Sequence, residues 1–148
     1  MNKSFLIISL ILLLTSCNQK VANEVLVSNT SELKEAIKNA KAGDDIVLKN
    51  GTYKDVEIKF VAEGTKETPI TLKAETSGKV FIEGTSSLEI SGNFLNVDGL
   101  FFRNGHSPKK NVIAFRTSPK EVANNSKVTN CVILDFNNLQ RDDDNLWV

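Results

Sequence analysis

The sequence predicts an all-β protein wound as a parallel β-helix, and three observations carry that reading. Short apolar segments recur at one spacing. Ile46-Val47-Leu48 returns as Ile70-Thr71-Leu72, Val56-Glu57-Ile58 as Val80-Phe81-Ile82, and Leu88-Glu89-Ile90 as Val112-Ile113-Ala114, each 24 residues on. A fixed period of roughly 20–50 residues marks stacked repeats, in which each unit buries its apolar face against its neighbours. The segments are too short for helices, and Val56-Glu57-Ile58-Lys59-Phe60 alternates apolar and charged side chains as a half-buried strand does. Hairpin signals are also missing: no Asn-Gly pair separates two strands by two residues except Asn50-Gly51, and that is followed only by Thr52-Tyr53. An antiparallel sandwich would also space its strands evenly, but three strand positions sharing one period favour the coil.

The period then lengthens. Leu95-Asn96-Val97 follows Ile70 by 25 residues, and Val97-Asp98-Gly99-Leu100-Phe101-Phe102 aligns with Val128-Thr129-Asn130-Cys131-Val132-Ile133 at 31, as expected where loops are inserted on one side of a coil. At this period the stretch from Asp45 to Val148 gives about four coils.

The chain of 148 residues has room for one domain. Its 18 basic and 18 acidic side chains cancel, so no nucleic acid or other strongly charged partner is implied by the total. Residues 1–17 stand outside the fold. Asn2-Lys3 is a short polar start with one positive charge, and Phe5 to Leu14 is an apolar run too short to span a bilayer but suited to a secretory signal. The run ends in Leu14-Thr15-Ser16-Cys17, which resembles the lipobox of bacterial lipoproteins. That resemblance implies a diacylglycerol on Cys17, cleavage before it, and a protein exported and lipid-anchored to a bacterial membrane, at the outer membrane or facing the periplasm. With Cys17 lipidated, Cys131 has no partner for an intramolecular disulfide, and within Cys131-Val132-Ile133-Leu134 it reads as a small buried filler.

Residues 18–28 form a tether and a lead-in strand, Val25-Leu26-Val27, and residues 29–148 the β-helix. A single helix opens that domain. Thr30 or Ser31 is placed to cap its first amides, and Glu32 and Glu35 complement the positive end of its dipole. Leu33, Ala36, Ile37 and Ala40 make one apolar stripe, and Gly43 suits a left-handed closing residue. The helix is expected to cover the open end of the first coil, where unpaired backbone would invite aggregation.

Ser31-Glu32-Leu33, Ala36-Ile37, Ala40-Lys41-Ala42-Gly43-Asp44-Asp45-Ile46-Val47-Leu48 and Gly51-Thr52-Tyr53 together resemble the entry of pectate-lyase-like right-handed β-helices. Later segments narrow the resemblance. Pro69-Ile70-Thr71-Leu72-Lys73-Ala74, Val97-Asp98-Gly99-Leu100-Phe101-Phe102-Arg103-Asn104-Gly105, Asn130-Cys131 with Asp135-Phe136-Asn137, and Asp144-Asn145-Leu146-Trp147-Val148 resemble polysaccharide lyase family six, the chondroitinase B and alginate lyase family. The likeness covers about residues 25–148 and matches only the N-terminal part of that family's longer proteins. It implies β-elimination on uronate-containing polysaccharides, with an acidic polysaccharide as partner and calcium expected in the complete family member. The family's catalytic and calcium-binding motifs fall in later coils, so no catalytic or metal residue is carried onto this chain and no cofactor is expected within it.

Polar density gathers in the loops after the later strands. Arg103, His106, Lys109, Lys110 and Arg116 are candidates for a basic rim that binds a polyanionic sugar, against the plainer reading of solvated loop charges. His106, the sole histidine, reads as a turn residue beside Pro108. Asp142-Asp143-Asp144 lacks the glycine and distal glutamate of a calcium loop. Asn104, Asn130 and Asn137 sit near strand ends, where amides stack between coils. The apolar close, Leu146-Trp147-Val148, reads as the start of a strand with no cap, which gives the expectation of a coding sequence cut short. Two function classes follow: the front of a lipid-anchored uronan lyase, inactive alone, or a non-catalytic surface lipoprotein whose coils bind glycan or a protein partner.

Overall fold

The computed structural model describes residues 23–136. The signal segment with Cys17 and the closing residues, with Asn137, Asp142 to Asp144 and Leu146-Trp147-Val148, lie outside the described residues. In chain order the elements are β1 (Asn23–Val27), α1 (Thr30–Asn39), β2 (Asp44–Leu48), β3 (Gly51–Lys54), β4 (Glu57–Glu63), β5 (Ile70–Ala74), β6 (Val80–Thr85), β7 (Ser87–Asn93), β8 (Leu95–Asp98), β9 (Leu100–His106), β10 (Ile113–Ala114), β11 (Ala123–Asn124), β12 (Lys127–Thr129) and β13 (Val132–Phe136).

These strands form three sheets: β1-β2-β5-β8-β12, then β3-β6-β9-β13, and a third in which β7 pairs with β4 on one side and with β10 and β11 on the other. Every ladder is parallel. The one antiparallel pairing among the described residues is an isolated bridge between Arg116 and Val122. Successive strands visit the three sheets in turn, so the all-β, parallel β-helix expectation holds. The described residues complete about three coils, β2-β3-β4, β5-β6-β7 and β8-β9-β10/β11, and β12 and β13 begin another. The four coils expected from Asp45 to Val148 extend into residues outside those described, and the steps between stacked residues range from 20 to 31 instead of holding at 24.

Register shows where the extra residues go. In the first sheet Ile46 stacks on Leu72, Ile70 on Leu95 and Val97 on Val128, steps of 26, 25 and 31. The last two are the expected pairings, whereas Ile46 was expected on Ile70. Val80 stacks on Gly51 rather than following Val56, and Ile58 stacks on Leu88, 30 residues on. Leu88 meets Ile113, one residue from the expected Val112. The physical cause is uneven corner length. Val80 to Leu100 spans only 20 residues, while the next step, Phe101 to Val132, spans 31.

The inward columns make the core. Tyr53, Ile82 and Phe102 lie in one column and Phe60 with Ile90 in another, all nearly inaccessible. Burial of each such side chain is worth about 1.5–3 kcal/mol. The Tyr53 hydroxyl lies 2.9 Å from Val27 O and 3.2 Å from Lys49 O, so it donates back to the first rung, and burial pushes its pKa up.

Helix α1 closes the first end. Leu33 and Ile37 are buried among Val27, Ile46 and Ile58, and Ala36 and Ala40 pack beside them, which is the expected stripe and the expected cover. Its cap differs from expectation. Asn29, extended at φ −152, accepts the Glu32 amide at 2.9 Å, while the Glu32 carboxylate accepts the Ser28 amide at 2.7 Å. The shorter Thr30 and Ser31 already sit inside the first turn. Gly43 does take a left-handed φ of 93, but in the turn into β2, since the helix ends at Ala40 in an extended conformation. Asn29→Ala is expected to cost about 1 kcal/mol, read as a lower denaturation midpoint with an unchanged β signal.

The corners share one backbone solution. Lys54 pairs with Glu83, and Leu134 with Arg103, so the following residues Asp55, Gly84, Asn104 and Asp135 stand at one corner, with φ of 54, 68, 49 and 50. Gly99 and Asn130 follow the paired Asp98 and Thr129, and Phe94 and Asn125 follow the paired Asn93 and Asn124; all four are left-handed as well. Except at Phe94 these are Gly, Asn and Asp, which tolerate the conformation, so these corners turn within a residue or two. The amide stack expected of Asn104 and Asn130 is not formed, because the two stand at different corners. Asn130 instead donates to Asp98 Oδ1 at 2.7 Å.

Candidate functional site

The five basic candidates sit on two sheets and the loops beside them. Arg103 and His106 belong to β9 rather than to a loop, because the left-handed Asn104 lets the strand continue through the corner. Arg103 lies on the outer face of the second sheet. Its Nε donates to Glu83 Oε1 at 2.7 Å, and its guanidinium lies 3.4 Å over the Phe81 ring and 5.9 Å from the Phe101 ring. Phe81 and Phe101 are stacked rungs of that face, 5.7 Å apart. Arg103 is thus held by a charge and two rings at once. His106 ends β9 beside Thr85, with Nε2 3.3 Å from its Oγ1.

Lys109 and Lys110 lie in the loop that follows. Ser107 Oγ donates to Asn111 O at 2.7 Å and accepts the Lys109 amide at 3.1 Å, which draws the loop tight. Lys109 Nζ lies 3.7 Å from Glu57 Oε2, a half-exposed contact worth little in energy. Arg116 is exposed on an insert between β10 and β11. Among the described residues Lys110 and Arg116 make no ion pair. The structure therefore brings Arg103 and Lys109 to carboxylates rather than to each other.

That insert shapes a cleft on the outer face of the third sheet. Ala123 N donates to Phe115 O at 2.9 Å and Thr117 N to Glu121 O at 3.0 Å, which closes the insert on itself. Thr117 Oγ1 then donates to Ser91 Oγ at 3.1 Å and pins the insert to β7. The cleft beneath has a volume of about 330 Å3 and is lined by Val61, Glu63, Ser91, Asn93, Lys120, Glu121, Val122 and Asn124 among others. Val61 and Val122 are 51% and 40% exposed, so apolar surface stands among hydrogen-bonding groups. Such a lining suits a sugar ring, with its apolar faces and hydroxyl edge. Among the described residues no three His, Cys, Asp or Glu side chains gather as metal ligands.

Several polar partnerships escaped sequence reasoning. Glu83 meets Arg103 because the second sheet advances by about 20 residues there, a step hidden by the 24-residue period. Lys73 bridges Asp45 at 2.7 Å and Glu24 at 3.0 Å across the first sheet, and its pKa is raised chiefly by the Asp45 hydrogen bond. Cys131 is half-buried just before β13, and burial pushes its thiol up, away from the reactive thiolate.

A family model described as chondroitinase B matches residues 27–148, and one for the prokaryotic membrane lipoprotein lipid attachment site matches residues 1–18. Among solved structures, a PL6 family alginate lyase, AlyGC, is 45% identical with a TM-score of 0.73, over 74% of this chain and 15% of its own. A PL6 family polysaccharide lyase from Pseudopedobacter saltans is 40% identical with a TM-score of 0.74, over 83% of this chain and 27% of its own. A mannuronic acid specific family 6 lyase from human gut microbiota is 28% identical with a TM-score of 0.73, over 83% and 30%. This chain thus spans less than a third of the length of each of these three. No curated protein matches it.

Proposed function

Because the chain belongs to the chondroitinase B family, we propose that it forms the first coils of a lipid-anchored polysaccharide lyase that cleaves uronate-containing polysaccharides by β-elimination. The match of residues 27–148 to that family carries the reading. Alginate is the favoured substrate, because the similar structures include a PL6 family alginate lyase and a mannuronic acid specific lyase; chondroitin or dermatan sulfate is the alternative. Cys17 carries the lipid, in line with the attachment motif over residues 1–18.

β-Elimination removes the proton beside the uronate carboxylate and expels the 4-linked sugar. It needs a base within reach of that proton and a group that neutralises the carboxylate as charge builds. The coils described here divide that work unevenly. Arg103 and Lys109 already face Glu83 and Glu57, and His106 is engaged by Thr85 at a strand end. Of the five basic candidates, Lys110 and Arg116 are left to hold a polyanion, weakly and with strong dependence on salt. The elimination itself belongs to later coils, of the kind that the longer relatives have room for.

The test is the rise in ultraviolet absorbance that the unsaturated uronate product gives. The 148-residue chain is expected to give no rise on alginate or dermatan sulfate, with or without calcium, and a version extended by the family's later coils is expected to give one. An enzyme-dependent rise from the purified 148-residue chain, abolished by His106→Ala, would place the chemistry in these coils and overturn the proposal.

A further inference from the structure

We propose that the helix-capped end of the coil stack rests on the bilayer that holds the lipid anchor, so that the coils rise away from the membrane rung by rung. The inference builds on the lipid-anchor reading of Cys17. It begins with reach. Strand β1 starts at Asn23, six residues after Cys17. An extended chain advances at most about 3.3–3.6 Å per residue, so the anchor lies within about 22 Å of Asn23 whatever path residues 18–22 follow.

The point of attachment matters as much as the reach. β1 is the terminal strand of the first sheet, and β12 lies four strands further along it. At a strand spacing of about 4.8 Å, β12 stands about 19 Å beyond β1. A tether this short, fixed to the end strand, keeps that end of the stack nearer the headgroups than the far end.

The surface at this end fits a headgroup layer. On the outer face of β1, Leu26 is 52% exposed, whereas Val47, its neighbour in β2, is 6% exposed. Between β1 and α1 runs an open groove of about 380 Å3, with Leu26, Ala36, Glu35 and Lys41 among its lining. On the exposed side of α1 stand Lys34, Glu35 and Lys38, of mixed sign. One protruding apolar side chain within a rim of long charged ones matches an interface that is apolar below and ionic above. Lysine stems lie along the boundary while their ammonium groups reach water and phosphate. The loop of Lys109 and Lys110 and the insert of Arg116 belong to the third coil, so this posture lifts them towards soluble polymer.

The experiment uses the full lipidated chain with Cys131→Ser, carrying either Lys38→Cys on α1 or Lys127→Cys on β12, both exposed positions. Each is labelled with a fluorophore and reconstituted into phosphatidylcholine vesicles bearing spin-labelled headgroups. Vesicle flotation reports the anchor, and quenching reports the posture. Flotation with several-fold stronger quenching at position 38 than at 127 is the expected result. Flotation with equal or reversed quenching overturns the posture and leaves the anchor standing. Failure to float overturns the anchor reading and the posture with it.

Discussion

Phe102→Ala is expected to lower the unfolding free energy by about 3–5 kcal/mol, the range for removing a large aromatic side chain from a packed core. Phe102 is fully buried in the column that runs from Tyr53 through Ile82, and its ring meets that of Phe136 edge-on at 5.6 Å. The neighbouring coils are held in rigid register by their ladders, so they cannot collapse into the space. A typical domain has only about 5–15 kcal/mol in hand, so this loss is a large share of the total. Phe81→Ala is the matched comparison. Phe81 sits one rung away on the outer face, half-buried under the Arg103 guanidinium, and its loss leaves no internal cavity. Denaturant titration should separate the two variants clearly. Equal losses would mean that the two faces of the second sheet are not inside and outside as described.

Gly92→Ala is expected to cost about 3 kcal/mol or more, from two sources that a second variant separates. Gly92 has φ of 114, a conformation that costs a residue with a Cβ about 1–3 kcal/mol. An added Cβ would also clash with the backbone oxygen of Ala62, its partner in β4. That atom cannot move without breaking the β4–β7 ladder, and forced overpacking costs about 1–3 kcal/mol more. Gly51 is equally unusual, at φ of 145, but nothing lies within 4 Å of its added Cβ. Gly51→Ala therefore measures the backbone cost alone, and the difference between the midpoints measures the clash. If Gly51→Ala costs as much as Gly92→Ala, the close approach of β4 and β7 is not what makes glycine necessary.

The sequence made the coil legible but hid its register. Apolar alternation in Val56 to Phe60 and the Val97–Val128 correspondence follow from side-chain periodicity, which survives in a single sequence. The stacking of Val80 on Gly51 does not, because a short coil and a long coil average to a period that neither has. Helix α1 was legible for a related reason: its stripe of Leu33, Ala36 and Ile37 is local. Its cap was missed by one or two residues because Asn29, Thr30 and Ser31 all carry the same kind of acceptor, and only backbone φ separates them. For the candidate site, residue type revealed where positive charge is dense. It could not reveal that Glu83 and Glu57 meet Arg103 and Lys109, since each pair depends on strand register. Left-handed corners had a signal that was available: Asp55, Gly84, Asn104 and Asp135 are all residue types that tolerate positive φ, and all follow apolar strands.

The ladders bear on how the chain finds this fold. Each ladder pairing, the first rung included, joins residues 20 to 31 positions apart, and none reaches past the adjacent coil. The loop that must close to add a rung therefore keeps the same length however long the chain becomes, and the entropic toll of closure does not grow with it. Helix α1 and β1 are emitted first, and they form a template on which the next strand can settle before later ones exist. Folding can then proceed as a travelling front from the capped end, each coil seeded by the one before. In such a chain the order of synthesis and the order of assembly coincide.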